Sequence, residues 1–167
     1  MDDNFNQGRL INPMVGFVPQ YSITDKLKFN VSLQFSPKGL KLIDSDSKWR
    51  YTYIDILPEI EYKVFKNVSI GLGMNFGFLQ KEETKSNDEE WRSIKFLENT
   101  NTKDYGLIFK IQTQIKDVYF NLRCNYGLGD LTDITILGSS GNNIQEINQF
   151  NQNFQIAIGY TFRRCKK

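Results

Sequence analysis

IDILPEIEYKVFKNVSIGLGMNFGF, residues 54–78, alternates twice around one short break. In its first half Ile54, Ile56, Pro58, Ile60, Tyr62 and Val64 share one face, and Asp55, Glu59, Glu61 and Lys63 share the other. Side chains that repeat every second residue belong to a β-strand. After Phe65, Lys66 and Asn67 the pattern returns: Val68, Ile70, Leu72, Met74, Phe76 and Phe78 oppose Ser69, Gly71, Gly73, Asn75 and Gly77. The stretch reads as an antiparallel hairpin with one apolar and one polar side.

The rest of the chain copies it. Val15, Phe17, Pro19 and Tyr21 form a short face that Pro19 confines to an edge or a bulge, because proline donates nothing to a ladder. Residues 27–36 alternate without a fault, Pro37-Lys38-Gly39 then reads as a break or a bulge, and a polar loop follows over residues 40–50. Residues 105–115, 118–129 and 152–162 supply three more alternating runs, with Ile108 the exception in the first. Lys116-Asp117 is a two-residue turn, although it lacks the glycine that hairpins favour. Residues 80–103 and 130–149 show no sustained period and read as long loops. Short and long connections thus alternate, as expected of an up-and-down meander with all tight turns at one end.

Composition narrows the function. The 167 residues fit one domain, hydrophobic residues make up 40%, and a net charge of +2 carries no nucleic-acid footprint. The absence of histidine removes the commonest zinc ligand and the usual general base. No metal, cofactor or catalytic residue is therefore assigned. Cys124 falls on an apolar strand face and reads as a small hydrophobe. No run reaches the ~18 apolar residues of a membrane helix, a test that does not detect strands apolar only at alternate positions.

Alternation alone fits a soluble ligand barrel, apolar inside, or a membrane barrel, apolar outside. In the soluble, calycin-like alternative Phe29, Leu33, Ile70, Leu72, Phe154 and Ile158 would line a ligand cavity. Three features favour the membrane. Glycine, asparagine and glutamine crowd the polar face. The runs have about the length that a tilted strand needs to cross hydrocarbon. Aromatic residues gather near both ends of the apolar face, Tyr21, Tyr62, Tyr160 and Phe162 by the short turns and Phe35, Phe76, Phe78, Tyr105 and Tyr126 by the long loops. The expected architecture is an all-β, up-and-down antiparallel transmembrane barrel. Its lumen carries a polar network of Asp55, Glu59, Glu61, Lys63, Lys110 and Arg123 in which buried charges pair. Glu59 and Glu61 form an acid–base pair on paper, but no nucleophile stands beside them.

Several segments together resemble the small outer-membrane β-barrels of Bacteroidota, the PorT-like outer membrane protein beta-barrel domain group. They are Phe35-Ser36-Pro37-Lys38-Gly39-Leu40-Lys41, Tyr53-Ile54-Asp55-Ile56-Leu57-Pro58, Ile70-Gly71-Leu72-Gly73, Tyr126-Gly127-Leu128-Gly129 and Ile158-Gly159-Tyr160-Thr161-Phe162. The resemblance implies a bacterial outer-membrane location and a non-enzymatic envelope role. It also implies contact with membrane lipid and, through the long loops, with other envelope proteins, and no partnership with nucleic acid. Single-chain bacterial barrels have even strand numbers, and seven runs are visible. An eight-stranded type is therefore expected, with its first strand outside the chain: residues 1–12 are the remnant of a loop, 13–162 the barrel domain and 163–167 a basic tail.

Overall fold

The computed structural model describes residues 7–9, 11–42, 47–86, 90–94, 101–130, 134–137, 143–147 and 150–162. Three short strands open the chain, β1 (Gln7–Arg9), β2 (Val15–Phe17) and β3 (Gln20–Ser22), and all pair with β4 (Leu27–Leu42). β5 (Ser47–Lys63), β6 (Val68–Ser86), β7 (Arg92–Ile94), β8 (Lys103–Ile115) and β9 (Val118–Asp130) follow, then a small hairpin of β10 (Ile134–Leu137) and β11 (Asn143–Ile147), and finally β12 (Phe150–Tyr160). The main sheet runs β1-β4-β5-β6-β8-β9-β12 with antiparallel ladders throughout, β2 and β3 lying beside β1 along β4. Seven strand positions thus form one meander, and β1 to β3 together fill the first.

The sheet curls until β4 meets β9 and β12 across the interior. The Gln34 amide on β4 donates to Gln155 on β12 at 3.5 Å, and Arg123 on β9 donates to Gln34 at 3.1 Å. Right-handed strand twist and glycine on the concave side make such curvature accessible. A Cβ on Gly73 would lie 2.4 Å from the Pro58 carbonyl, and one on Gly159 would enter the Tyr119 ring. Glycine at these positions makes room for side chains on the inner wall.

The strands extend further than alternation suggests. Pro37-Lys38-Gly39 does not end β4, which continues to Leu42, and β5 begins at Ser47. The reason lies in hydrogen-bond parity. Val31 donates its backbone N–H to Pro19 on the β3 side, so by period two the nitrogen of Pro37 points to that side as well. There it falls between residues 33–35, paired with β2, and residues 40–42, paired with β1. A missing donor costs nothing in that interval. β6 likewise runs to Ser86 and pairs with β7 inside the segment read as a long loop. β10 and β11 fall in the second long loop, and β1 in the N-terminal remnant.

Strands β4, β5 and β6 have 16, 17 and 19 residues, against 13, 13 and 11 for β8, β9 and β12. A tilted strand crosses a bilayer in about 9–11 residues. One side of the wall therefore stands well beyond a membrane, at the end that carries the long connections.

The tight turns sit together at the other end. Thr24 Oγ1 accepts from the N–H of Leu27 at 3.0 Å and of Lys26 at 3.3 Å. At the β8–β9 turn Lys116 adopts φ 56°, the left-handed conformation that glycine usually supplies.

Both edges of the sheet, β2/β3 and β12, run toward the tight-turn end, and among the described residues they do not pair with each other.

Candidate functional site: the lumen and its tight-turn mouth

Burial inverts the pattern of a soluble protein. Asn30, Ser32, Gln34, Ser36, Lys38, Asp55, Glu59, Glu61, Asn75, Asp104, Lys110, Gln112, Asn121, Arg123, Asn125 and Gln155 are buried, whereas among the described residues the buried hydrophobic ones are only Tyr53, Leu57, Leu79 and Ile108. Ile108, the exception in its run, points inward with the polar face. The opposite face is an exposed apolar belt. Phe29, Leu33, Ile70, Leu72, Phe154 and Ile158, the lining of the calycin-like alternative, all lie on that outer surface. A soluble barrel with an apolar cavity is excluded by this arrangement.

The two aromatic girdles hold as well. Every residue assigned to them is exposed, and Phe76 stands directly opposite Tyr105 across the β6–β8 ladder.

Inside, the charges form two clusters. In the lower one Lys110 on β8 binds Glu59 and lies 3.1 Å from Glu61, while Arg123 on β9 lies 2.8 Å from Glu59. Glu61 accepts a further hydrogen bond at 2.9 Å from Asn30 on β4, and Arg123 also reaches Ser32 at 3.4 Å. Register explains the meeting of β5 with β8 across β6. Glu61 is paired with Gly71, and Gly71 with Lys110, so a residue without a side chain separates the two charges on the inner face. A Cβ on Gly71 would lie 3.1 Å from Lys110 Cε.

The upper cluster centres on Lys38, whose ammonium reaches Asp104 at 2.8 Å and Asp55 at 3.2 Å and lies 4.5 Å from the centre of the Tyr53 ring. Asn151 also donates to Asp104, at 3.0 Å. Asp55 thus pairs directly with Lys38, and it is joined to Arg123 through Gln34, whose amide donates to Asp55 at 3.4 Å and accepts from Arg123 at 3.1 Å. The sequence reading does not include Lys38 and Asp104: Lys38 falls within the Pro37-Lys38-Gly39 break or bulge, and Asp104 just before the alternating run that starts at Tyr105. Had the alternation 34, 36, 38 been carried through Pro37, Lys38 would have fallen on the inner face.

Lys63 departs from its predicted place. It is exposed at the end of β5 and lines the tight-turn mouth of the lumen. The meander places it one step below Glu61 on the same face, where β5 leaves the wall. The mouth is a cavity of about 900 Å³ lined by Lys26, Lys28, Lys63, Lys66 and Lys116, with Asp25 and Glu61 the only carboxylates among the described residues. Phe17, Ile158, Tyr160 and Phe162 line it as well.

Beyond the belt on the long-connection side, Arg50 chelates Glu83 at 2.7 and 2.9 Å and its guanidinium lies 4.1 Å from the centre of the Trp91 ring. Lys81 adds a contact to Glu83 at 2.7 Å. Burial alone would raise the Glu83 carboxyl. Hydrogen bonds from Lys81 and Arg50 and their charges outweigh it and hold the group below the usual glutamate range.

An antiparallel meander with a polar interior, an apolar outer belt and two aromatic girdles defines a transmembrane β-barrel protein. Sequence comparison places it more closely: residues 4–133 match the outer membrane protein beta-barrel domain, and the chain belongs to that family. It is an integral protein of the bacterial outer membrane. No curated protein and no solved structure matches the chain significantly.

Proposed function

We propose that the protein is a non-enzymatic envelope component whose lumen is plugged and whose projecting strands contact other envelope proteins. The observation that carries this reading is the buried cluster of Glu59, Glu61, Lys110 and Arg123, which joins β5, β8 and β9 through the middle of the lumen. Paired charges held by neutral amides fill a narrow interior without leaving an ion path. Glu59 and Glu61 act in this reading as counter-charges, since each is already engaged by a cation. The overhang of β4 to β6, with Arg50, Trp91 and Glu83 on it, offers the contact surface. The segments shared with PorT-like barrels, Tyr126-Gly127-Leu128-Gly129 among them, support a place beside that Bacteroidota group. The secretion role associated with its namesake is not carried over, because a shared barrel does not fix a task.

The test is electrical. Protein reconstituted in planar bilayers is expected to give no steady single-channel current. A stable ohmic conductance would overturn the plugged lumen.

A further inference from the structure

We propose that the outer face of the projecting strands β4 to β6 binds an anionic glycolipid of the outer leaflet, with a phosphate low on the wall and an acidic sugar above it. The proposal rests on the outer-membrane position and goes beyond the plugged lumen. Its first support is register. Lys38 faces the lumen, so Phe35, Pro37, Gly39 and Lys41 share the outer face of β4. Lys41 stands directly opposite Lys48 on β5, and Lys48 directly opposite Lys85 on β6. Like charges placed opposite one another across a ladder repel. The two outer-face rows nearer the membrane add Arg50 and Lys81. Against these cations the outer face of β4 to β6 carries one carboxylate among the described residues, Glu83, and Arg50 and Lys81 already hold it. Lys48 and Lys85 have no carboxylate within ion-pair distance among the described residues, while Lys41 has an interaction of its own. An anion seated on the row relieves its repulsion.

The second support is shape. The β5–β6 register shifts between Thr52 and Tyr53, where Gln80 is the extra residue, and a bulge of this kind bends the wall. A cavity of about 490 Å³ lies there, with Phe35 and Pro37 as its apolar part and Arg50, Thr52, Gln80 and Lys81 as its polar part. Phe35 belongs to the aromatic girdle, so the cavity sits where acyl chains give way to headgroups. The third support is height. Lys41 lies six residues beyond Phe35 on β4. At about 3.3 Å per residue and a tilt of about 40°, the lysine row stands about 15 Å above the girdle. The phosphate of a phospholipid reaches Arg50 and Lys81 and leaves that row unmet. A headgroup of several sugars spans both levels when it carries a second anion. Bacterial barrels turn their longer connections to the cell exterior, which assigns the site to the outer leaflet.

The experiment uses the full-length protein in phosphatidylcholine nanodiscs supplied with one of two probes. One is lipid A, and the other is lipid A extended by two ketodeoxyoctulosonic acid sugars, whose carboxylates stand above the phosphates. Lipid retained after release into detergent is counted by native mass spectrometry. The extended glycolipid is expected to be retained at least about tenfold over phosphatidylcholine and at least about fivefold over lipid A, the latter being the attraction of one lysine near a membrane surface. Lys48→Gln/Lys85→Gln should abolish the preference for the extended form and leave lipid A retained over phosphatidylcholine. Lys81→Gln should lower retention of both, and Lys63→Gln/Lys66→Gln, at the opposite end, should change neither. Heat-dependent gel mobility verifies that each variant is folded and reports on the barrel independently of lipid choice. Equal retention of the two probes, or an unchanged preference in Lys48→Gln/Lys85→Gln, would overturn the site. Displacement of the glycolipid by millimolar inorganic phosphate alone would assign the face to free anions and overturn the lipid.

Discussion

The middle of the lumen and its tight-turn mouth are built on the same inner faces of the same strands, yet they handle charge in opposite ways. Glu59, Glu61 and Lys63 follow one another at every second position of β5. The first two are buried and engaged by Lys110 and Arg123, and the third is exposed among other lysines. Only the distance along the strand differs. In the middle, seven strand positions crowd the interior and water has little access, so each charge requires a partner. At the mouth the strands end, and water takes the partner's role. Identical alternation in sequence therefore encodes a packed, neutralised layer and a solvated, basic one.

The largest effect expected of this contrast lies in the middle. Glu59→Gln/Glu61→Gln leaves Lys110 and Arg123 buried without their carboxylates, and breaking a buried pair costs about 3–5 kcal/mol. Adding Lys110→Met and Arg123→Gln removes the orphaned charges and should restore most of that loss. Urea unfolding in lipid vesicles, followed by tryptophan fluorescence, measures both. Equal destabilisation by the double and quadruple variants would mean that the cluster is held by packing and not by charge balance.

Two glycines sharpen the point at smaller scale. Gly73→Ala places a methyl group 2.4 Å from the Pro58 carbonyl and 2.8 Å from Glu59 Cγ, so backbone must move. A cost of about 1–3 kcal/mol is expected. Gly71→Ala meets only the flexible Lys110 chain at 3.1 Å and should cost less than about 1 kcal/mol by the same measure of overpacking. Reversal of that order in the same unfolding assay would contradict the inner-wall register.

These residues also show what was legible in the sequence. The barrel, its orientation and the Glu59, Glu61, Lys110 and Arg123 set were readable because lipid contact enforces an apolar residue at every second position, and the remaining positions must then face inward. Lys38 and Asp104 were not readable, since each lies where the outer face leaves the hydrocarbon and the apolar signal fades. Pro37 deepened the loss by presenting a strand-breaking residue at a position where the neighbouring ladder happens to be interrupted. Lys63 was assigned to the network because alternation reports which face a residue occupies and says nothing of how far along the barrel the packed layer extends.

Outside the belt a milder charge effect is expected. The folded state holds Glu83 below the usual glutamate range, so its contribution to stability is present above the unfolded value of about 4.3 and is lost as pH falls through the lower folded value. Arg50 and Lys81 are partly exposed, which screens the pair and keeps the change small. Glu83→Gln should flatten the acid limb of a stability–pH curve without altering it above pH 6. An unchanged acid limb would assign the projecting strands' acid sensitivity to other groups.

The smallest effect on stability belongs to the mouth, and it is the one that separates the two regions most directly. Lys63→Gln/Lys66→Gln removes two cations that contact no carboxylate, both exposed to water, and surface changes of this kind stay within about 0.5 kcal/mol. Less repulsion among the remaining lysines sets the sign, a slight gain at low salt that disappears as added salt screens the charges. The same vesicle unfolding assay at about 20 and 500 mM salt reads it, the Debye length being several-fold shorter at the higher value. A loss comparable to that of Glu59→Gln/Glu61→Gln would show that Lys63 belongs to the packed layer after all, and the boundary between the two regions would then lie beyond the end of β5.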